Sequence, residues 1–276
     1  MVTVTIMGTG AITGTNRMMG IPTAIPAGIA TTAPLMTEAV TLPALYRLLT
    51  FLSPAFPIGA FTYSHGLEQV IDQGGVNSAG DLQVWLQDIL RFGAGRSDAI
   101  LLKETFQAAG RGDADTVEEL RELGLALQPS KERHLESSAQ GTAFLAAVAG
   151  SWMPPSGTPA GRLFAGVATG VAGENRDPWP YPVVLGLVCA AHAIPEAAAL
   201  TSFLHTFTAN LISVAVRVVP LGQSDGQKVL AALEPVIAGV ANEAAACGLD
   251  DLGSSTFLAD IASMAHETQY SRLFRS

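Results

Sequence analysis

The stretch Asp81–Arg91, DLQVWLQDILR, places Leu82, Trp85, Leu86 and Ile89 at spacings i, i+3, i+4 and i+7. That rhythm puts four large apolar side chains on one face of an α-helix and cannot be sustained by a strand. Working outward, the same helical grammar recurs. Upstream, Leu42–Leu52 is apolar with Arg47 as its one charge and predicts a first short helix. Pro54, Pro57 and Gly59 then force an irregular loop, and Ser64 is placed to cap a helix to about Gln73, before Gly74-Gly75. Downstream, Ser97 and Asp98 open a run that Gly110 closes, and Asp115 with Glu118 reads as a capping-type start for a helix to about Leu127.

Pro129-Ser130 starts the next helix, with Leu135, Ala139, Thr142, Leu145 and Ala149 at mostly helical spacings. Two Pro/Gly-rich breaks follow, Met153–Gly161 and Gly173–Pro182, with a short Ala/Gly/Val segment between them. Val183–Ala193 and Glu196–Val219 read as long apolar helices. Ser224-Asp225-Gly226-Gln227 reads as a capping box opening a helix that ends near Cys247-Gly248, with Pro235 expected to kink it. Ser254 or Ser255 begins the last helix. No useful strand alternation occurs after residue 40, and no repeat of fixed period. The expectation is one all-α domain of about ten helices over residues 42–276, its Ala- and Gly-rich helices packed closely.

Residues 1–40 differ. They are built from Thr, Ala, Ile, Met, Gly and Pro, with Arg17 and Glu38 as the only charges. Pro22, Pro26 and Pro34 block a long helix, and Gly8, Gly10, Gly14 and Gly20 break any strand. Residues 1–41 therefore read as a disordered or loosely attached leader. Met18, Met19 and Met36 offer alternative translation starts.

Composition excludes several classes. The chain has 276 residues, 49% apolar and 14% charged, enough to bury a large core without a disulfide or metal staple. Fifteen basic against 24 acidic residues leave a net charge of −9 and no Lys/Arg cluster, which argues against nucleic acid and against an anionic membrane surface. The densest apolar run, Val183–Ile194, is too short for a bilayer and carries His192. The chain start lacks the basic region of a signal peptide. Cys189 and Cys247 make no CxxC pair and fit a reducing cytoplasm.

Catalytic patterns are few. No Gly-Lys pair exists to end a phosphate-binding loop, and Gly8-Thr9-Gly10 is a lone GxG without a helix after it. His266-Glu267 begins like a zinc-protease motif, but Tyr270 stands where the second histidine is required. His65 and Glu68, at i and i+3, could share a metal, though a locally hydrogen-bonded histidine explains the pair as well. His134, His192 and His205 have no partner at ligand spacing, and His205 reads as a core or interface residue. No metal site and no catalytic residue is assigned. A scaffold or adaptor is favoured over an enzyme.

Four stretches carry a family resemblance. They are Ser53–Glu68 (SPAFPIGAFTYSHGLE), the run ERHLESSAQG ending at Gly141, Val216–Gln227 (VRVVPLGQSDGQ) and the chain end DIASMAHETQYSRLFRS. From about residue 42 onward the chain resembles the urease accessory protein UreF family. The resemblance implies an all-α, usually dimeric, non-enzymatic cytoplasmic protein without a cofactor of its own. It implies binding to UreD (also called UreH) and to the GTPase UreG, in an assembly that helps insert nickel into apo-urease and modulates GTP hydrolysis by UreG. Within it, Tyr270, Arg272, Leu273, Phe274 and Arg275 are expected to bind a partner, since aromatics and arginines anchor interfaces. Pro57, Gly59, Phe61, Tyr63, Ser64, Gly66 and Glu68 form the family-motif loop. Pro220, Gly222, Gln223, Asp225 and Gln227 form a structural corner. The terminal segment is expected to make few core contacts. The alternatives left open are an uncharacterised helical enzyme, a membrane-peripheral protein, and a chaperone with a weak nickel site shared across a dimer.

Overall fold

Thr41 accepts a hydrogen bond from the Ala44 N–H at 3.3 Å, and Pro43 occupies the first turn, so the first helix begins where its free N–H groups are either capped or absent. The computed structural model describes residues 39–171 and 177–275. The expected leader lies outside them except for residues 39–41, and the second Pro/Gly-rich break lies partly outside them, at residues 172–176.

The order is α1 (Leu42–Phe51), a 3₁₀ turn (Ala60–Thr62), α2 (Leu67–Asp72), α3 (Ala79–Phe92), α4 (Ala94–Arg111), α5 (Ala114–Ala126) and α6 (Lys131–Ser151). There follow α7 (Pro159–Val171), α8 (Tyr181–Ala191), α9 (Glu196–Val218), α10 (Gln223–Ala246), a 3₁₀ turn (Leu249–Asp251) and α11 (Phe257–His266). No strand occurs among the described residues. The all-α reading holds, and helix α3 buries Leu82, Leu86, Ile89 and Leu90 on the face the sequence marks.

Helix α8 is the core element. It is apolar all round, and Val183, Val184, Leu185, Leu187 and Val188 are fully buried. Each side chain of that size contributes about 1.5–3 kcal/mol by leaving water. Helices α4 and α6 flank α8, and α9 and α10 lie against each other beside α3 and α4. By length and hydropathy α9 and α10 could each cross a bilayer, yet both are amphipathic, turning Leu200, Leu204 and Leu211 or Leu233, Ile237 and Val240 into the core.

Several helix starts differ from expectation. His65 (φ 55°) and Gly66 (φ 75°) form a left-handed turn, so α2 begins at Leu67 and Ser64 is buried outside it. Helix α4 starts three residues before Ser97, at the Gly93 break; the Ser97 hydroxyl donates to the Gly253 carbonyl at 2.8 Å. Asp113, not Asp115, caps α5, accepting from the Thr116 N–H at 3.1 Å. Gly222 precedes α10, where the Asp225 carboxylate accepts from the Gly222 N–H at 3.4 Å, and Ser224 lies inside the first turn. Thr256 precedes α11. Helix α10 continues through Pro235. The short Ala/Gly/Val segment is the 13-residue helix α7, whose weak intrinsic propensity is overridden by packing on α8, α4 and α6.

Candidate partner-binding site

Four segments far apart in sequence meet at one end of α6. The Ser130 hydroxyl caps α6, accepting from the Arg133 N–H at 3.1 Å, and this fixes the direction of the first turn. Glu132 and Arg133 then point to two different clusters.

Glu132 belongs to the first. His266, at the end of α11, is fully buried. Its Nδ1 lies 2.7 Å from the Glu132 carboxylate and its Nε2 lies 3.1 Å from the Glu68 carboxylate. Glu68, 5% exposed, also accepts from the backbone N–H of Leu273 at 2.6 Å and of Phe274 at 3.0 Å. Arg272 pairs with the other oxygen of Glu132. The Arg275 N–H donates to the Thr62 carbonyl at 2.8 Å. Arg217, near the end of α9, donates to the Phe61 carbonyl at 3.2 Å and lies over the Phe274 ring, 5.3 Å from its centre.

The tail is therefore tied to the motif loop, to α6 and to α9. The expectation of few core contacts is corrected: Phe274 is 5% exposed, and the tail's backbone N–H groups are held by a buried carboxylate, which is costly to leave without donors. Tyr270, Arg272, Leu273 and Arg275 remain at the surface, and Phe61 of the loop is exposed as well. In the loop, Tyr63, Ser64, Gly66 and Glu68 are buried, Pro57 is exposed, and Gly59 takes φ 72° at the 3₁₀ turn. Gly66 is required twice over. Its φ is left-handed, and a Cβ there would lie 2.5 Å from the Ser263 backbone nitrogen of α11. The corner residues Pro220, Gly222, Gln223 and Gln227 are exposed and Asp225 caps; Arg217, upstream of that corner, is what joins it to the tail.

Arg133 belongs to the second cluster. It pairs with Glu136 one turn on and lies 3.9 Å from Asp98 of α4. His65 Nε2 is 2.6 Å from Glu136, so His65 turns away from Glu68 and the pair does not share a metal position. Burial, then the Arg133 charge, lowers the His65 pKa, and its Nε2 lies between the Glu136 carboxylate and Arg133 Nη1, 2.8 Å from the latter. Burial alone would raise Glu136, but Arg133 and His65 more than reverse this and hold it at about 2. Burial pushes Asp98 up to about 6 against the pull of Arg133. The cluster lines two small cavities. One, of about 60 Å³, reaches Phe51 and Tyr181; the other, of about 100 Å³, reaches Asp260 and Ser263.

Among the described residues no group of three His, Cys, Asp or Glu side chains is placed to hold a metal ion. Cys189 and Cys247 are free, and burial pushes the Cys189 thiol up to about 12, leaving it inert. Sequence reasoning did not reach Glu132, Arg217 or the bridging position of His266. No spacing rule joins residues 134 and 198 positions apart.

Fold and site together define an all-helical protein whose buried charges hold its own segments in place. The UreF family model matches residues 76–234. The urease accessory protein UreF of Rhodopseudomonas palustris strain BisA53 is 46% identical over 249 residues, covering 89% of this chain and 98% of that protein. The UreF of Bradyrhizobium sp. strain BTAi1 is 46% identical over 241 residues, covering 87% and 95%. The chain belongs to the UreF family of urease accessory proteins, and its role is accessory, not catalytic.

Proposed function

We propose that this protein is a cytoplasmic adaptor of urease maturation, acting as a homodimer with UreD and the GTPase UreG on apo-urease. In that assembly it assists nickel insertion and modulates GTP hydrolysis by UreG, holding neither nickel nor a cofactor tightly itself. The observation that supports this reading is the convergence of all four family stretches on one surface. Phe61 from the loop is exposed next to Thr62, whose carbonyl accepts from the Arg275 N–H; Tyr270 and Leu273 of the tail are exposed, the buried Glu68 fixes the tail backbone, and half-buried Glu132 pairs with the Arg272 side chain. Such a face offers aromatic and Arg groups on a pre-ordered support, the composition of binding hot spots. UreD is the partner assigned to it.

The test is co-purification of the chain with UreD and UreG. Wild type should retain UreD. Tyr270→Ala and Leu273→Ala, both at exposed positions, should weaken retention by about tenfold or more at unchanged melting temperature. The chain alone should not hydrolyse GTP. Failure of the wild-type chain to retain UreD would overturn the reading.

A further inference from the structure

The smaller of the two cavities at the second cluster has loop residues 53–65 on one side and α4, α6, α8 and α9 on the other. Phe61, 58% exposed, lines it too, so the cavity meets solvent beside that residue. A volume of about 60 Å³, at roughly 15 Å³ for each water-sized atom, admits about four heavy atoms. Two polar groups in the wall are poorly served by the fold. The Tyr181 hydroxyl is buried and has no hydrogen-bond partner among the described residues, and burial pushes its pKa up, keeping it protonated. Asp98 is 8% exposed, and its ion-pair partner Arg133 stays 3.9 Å away, beyond hydrogen-bond reach. Gln140 and Asn210 add side-chain amides to the same wall.

The charges of the lining decide what fits. Two carboxylates, Asp98 and Glu136, stand against one guanidinium, that of Arg133. Against the effect of burial, Arg133 and His65 hold Glu136 ionised at about 2, and His65, its own pKa lowered, is uncharged at pH 7. Arg133 is therefore matched by Glu136, with which it pairs. Asp98, raised by burial to about 6, is charged at pH 7 without a cation of its own. A buried charge in that position is costly. An anion would add to the excess, and water would leave it uncompensated. A cation rich in N–H groups balances Asp98 and can donate to the Tyr181 oxygen as well. Phe51, Phe203 and Phe207 complete the wall with aromatic rings, which attract cations. A guanidinium ion, planar and built of one carbon and three nitrogens, has the size, the charge and the donors this space calls for. We infer that the cavity binds a small guanidinium-type cation, held between Asp98 and Tyr181 beneath the motif loop. This site is distinct from the tail face assigned to UreD.

The test is thermal melting of the full chain at pH 7 with low-millimolar guanidinium chloride, paired with titration calorimetry. Denaturation by this salt needs molar amounts, so a site-bound ion acts with the opposite sign. Wild type should gain a saturable rise in melting temperature, about 3 °C or more at tenfold excess over the dissociation constant. Sodium chloride at equal ionic strength and urea, which has the same planar four-atom shape without the charge, should give no such rise. Asp98→Asn, which removes the charge and keeps the shape, should weaken binding by about tenfold or more. Tyr181→Phe keeps the ring and should weaken it by several-fold. If one variant fails to fold, the other decides. A wild-type chain without a saturable rise holds water only in this cavity and overturns the inference. An equal rise with sodium chloride overturns it as general screening of the net charge, and an equal rise with urea overturns the cationic class. Wild-type binding in a folded variant overturns it too. No UreD enters the measurement, so the partner reading stands or falls separately.

Discussion

His192 shows how one buried side chain makes stability depend on pH. It is 5% exposed and packs on Phe51 at 5.3 Å between ring centres. Burial, then the nearby Arg47 charge, lowers its pKa from 6.5 to about 4. The unfolded chain takes up the proton first, so this stability is present above pH 6.5 and is lost as the pH falls towards 4. The full shift is worth up to roughly 3 kcal/mol. His192→Phe should flatten that limb of the urea-unfolding profile between pH 6.5 and 4, and a profile identical to wild type would refute the assignment. Glu68 acts in the opposite sense, as an acceptor whose removal strands donors. Glu68→Leu leaves the N–H groups of Leu273 and Phe274 and the Nε2 of His266 without their acceptor. A loss of at least about 2 kcal/mol is expected, with faster amide hydrogen exchange at residues 273 and 274. Protected amides in that variant would show that another group holds the tail.

At the scale of elements, two glycines set how close helices come. Gly66 brings α2 against α11, and Gly141 lets α6 meet the segment before α8, where an added Cβ would lie 1.9 Å from the Trp179 carbonyl oxygen. Backbone cannot give way as a flexible side chain can. Gly141→Ala should therefore cost more than about 1 kcal/mol in chemical denaturation, whereas Gly150→Ala, with open space at its Cβ, should be neutral or slightly stabilising. Helix existence was legible where apolar side chains recur at 3.6 residues, as in α3, or where a Ser precedes the run, as at Ser130. Starts were less legible. Ser64, Ser97 and Ser224 have the right chemistry for caps, but the caps fall at Gly66, Gly93 and Gly222, two to four residues away. The tail's aromatics and arginines mark it as a candidate site in the sequence. Its anchoring was not legible, because Glu68 and Glu132 act across more than a hundred residues of intervening chain and Arg217 reaches Phe274 from another helix.

For the whole molecule, the core reaches from α1 through α8 to α10, and Thr41 caps α1. A shortened chain beginning at Ala39 should keep the melting temperature, the self-association and the UreD retention of the full chain. A marked drop in any of them would give residues 1–38 a structural or functional part. The placement of Glu68 also has a consequence in time. Its backbone partners lie 205 and 206 positions downstream. During synthesis the helices up to α10 can pack before residues 273 and 274 leave the ribosome. The surface carrying Phe61 and the tail therefore takes shape after the core, and a chain stopped short of residue 273 would fold in large part without it.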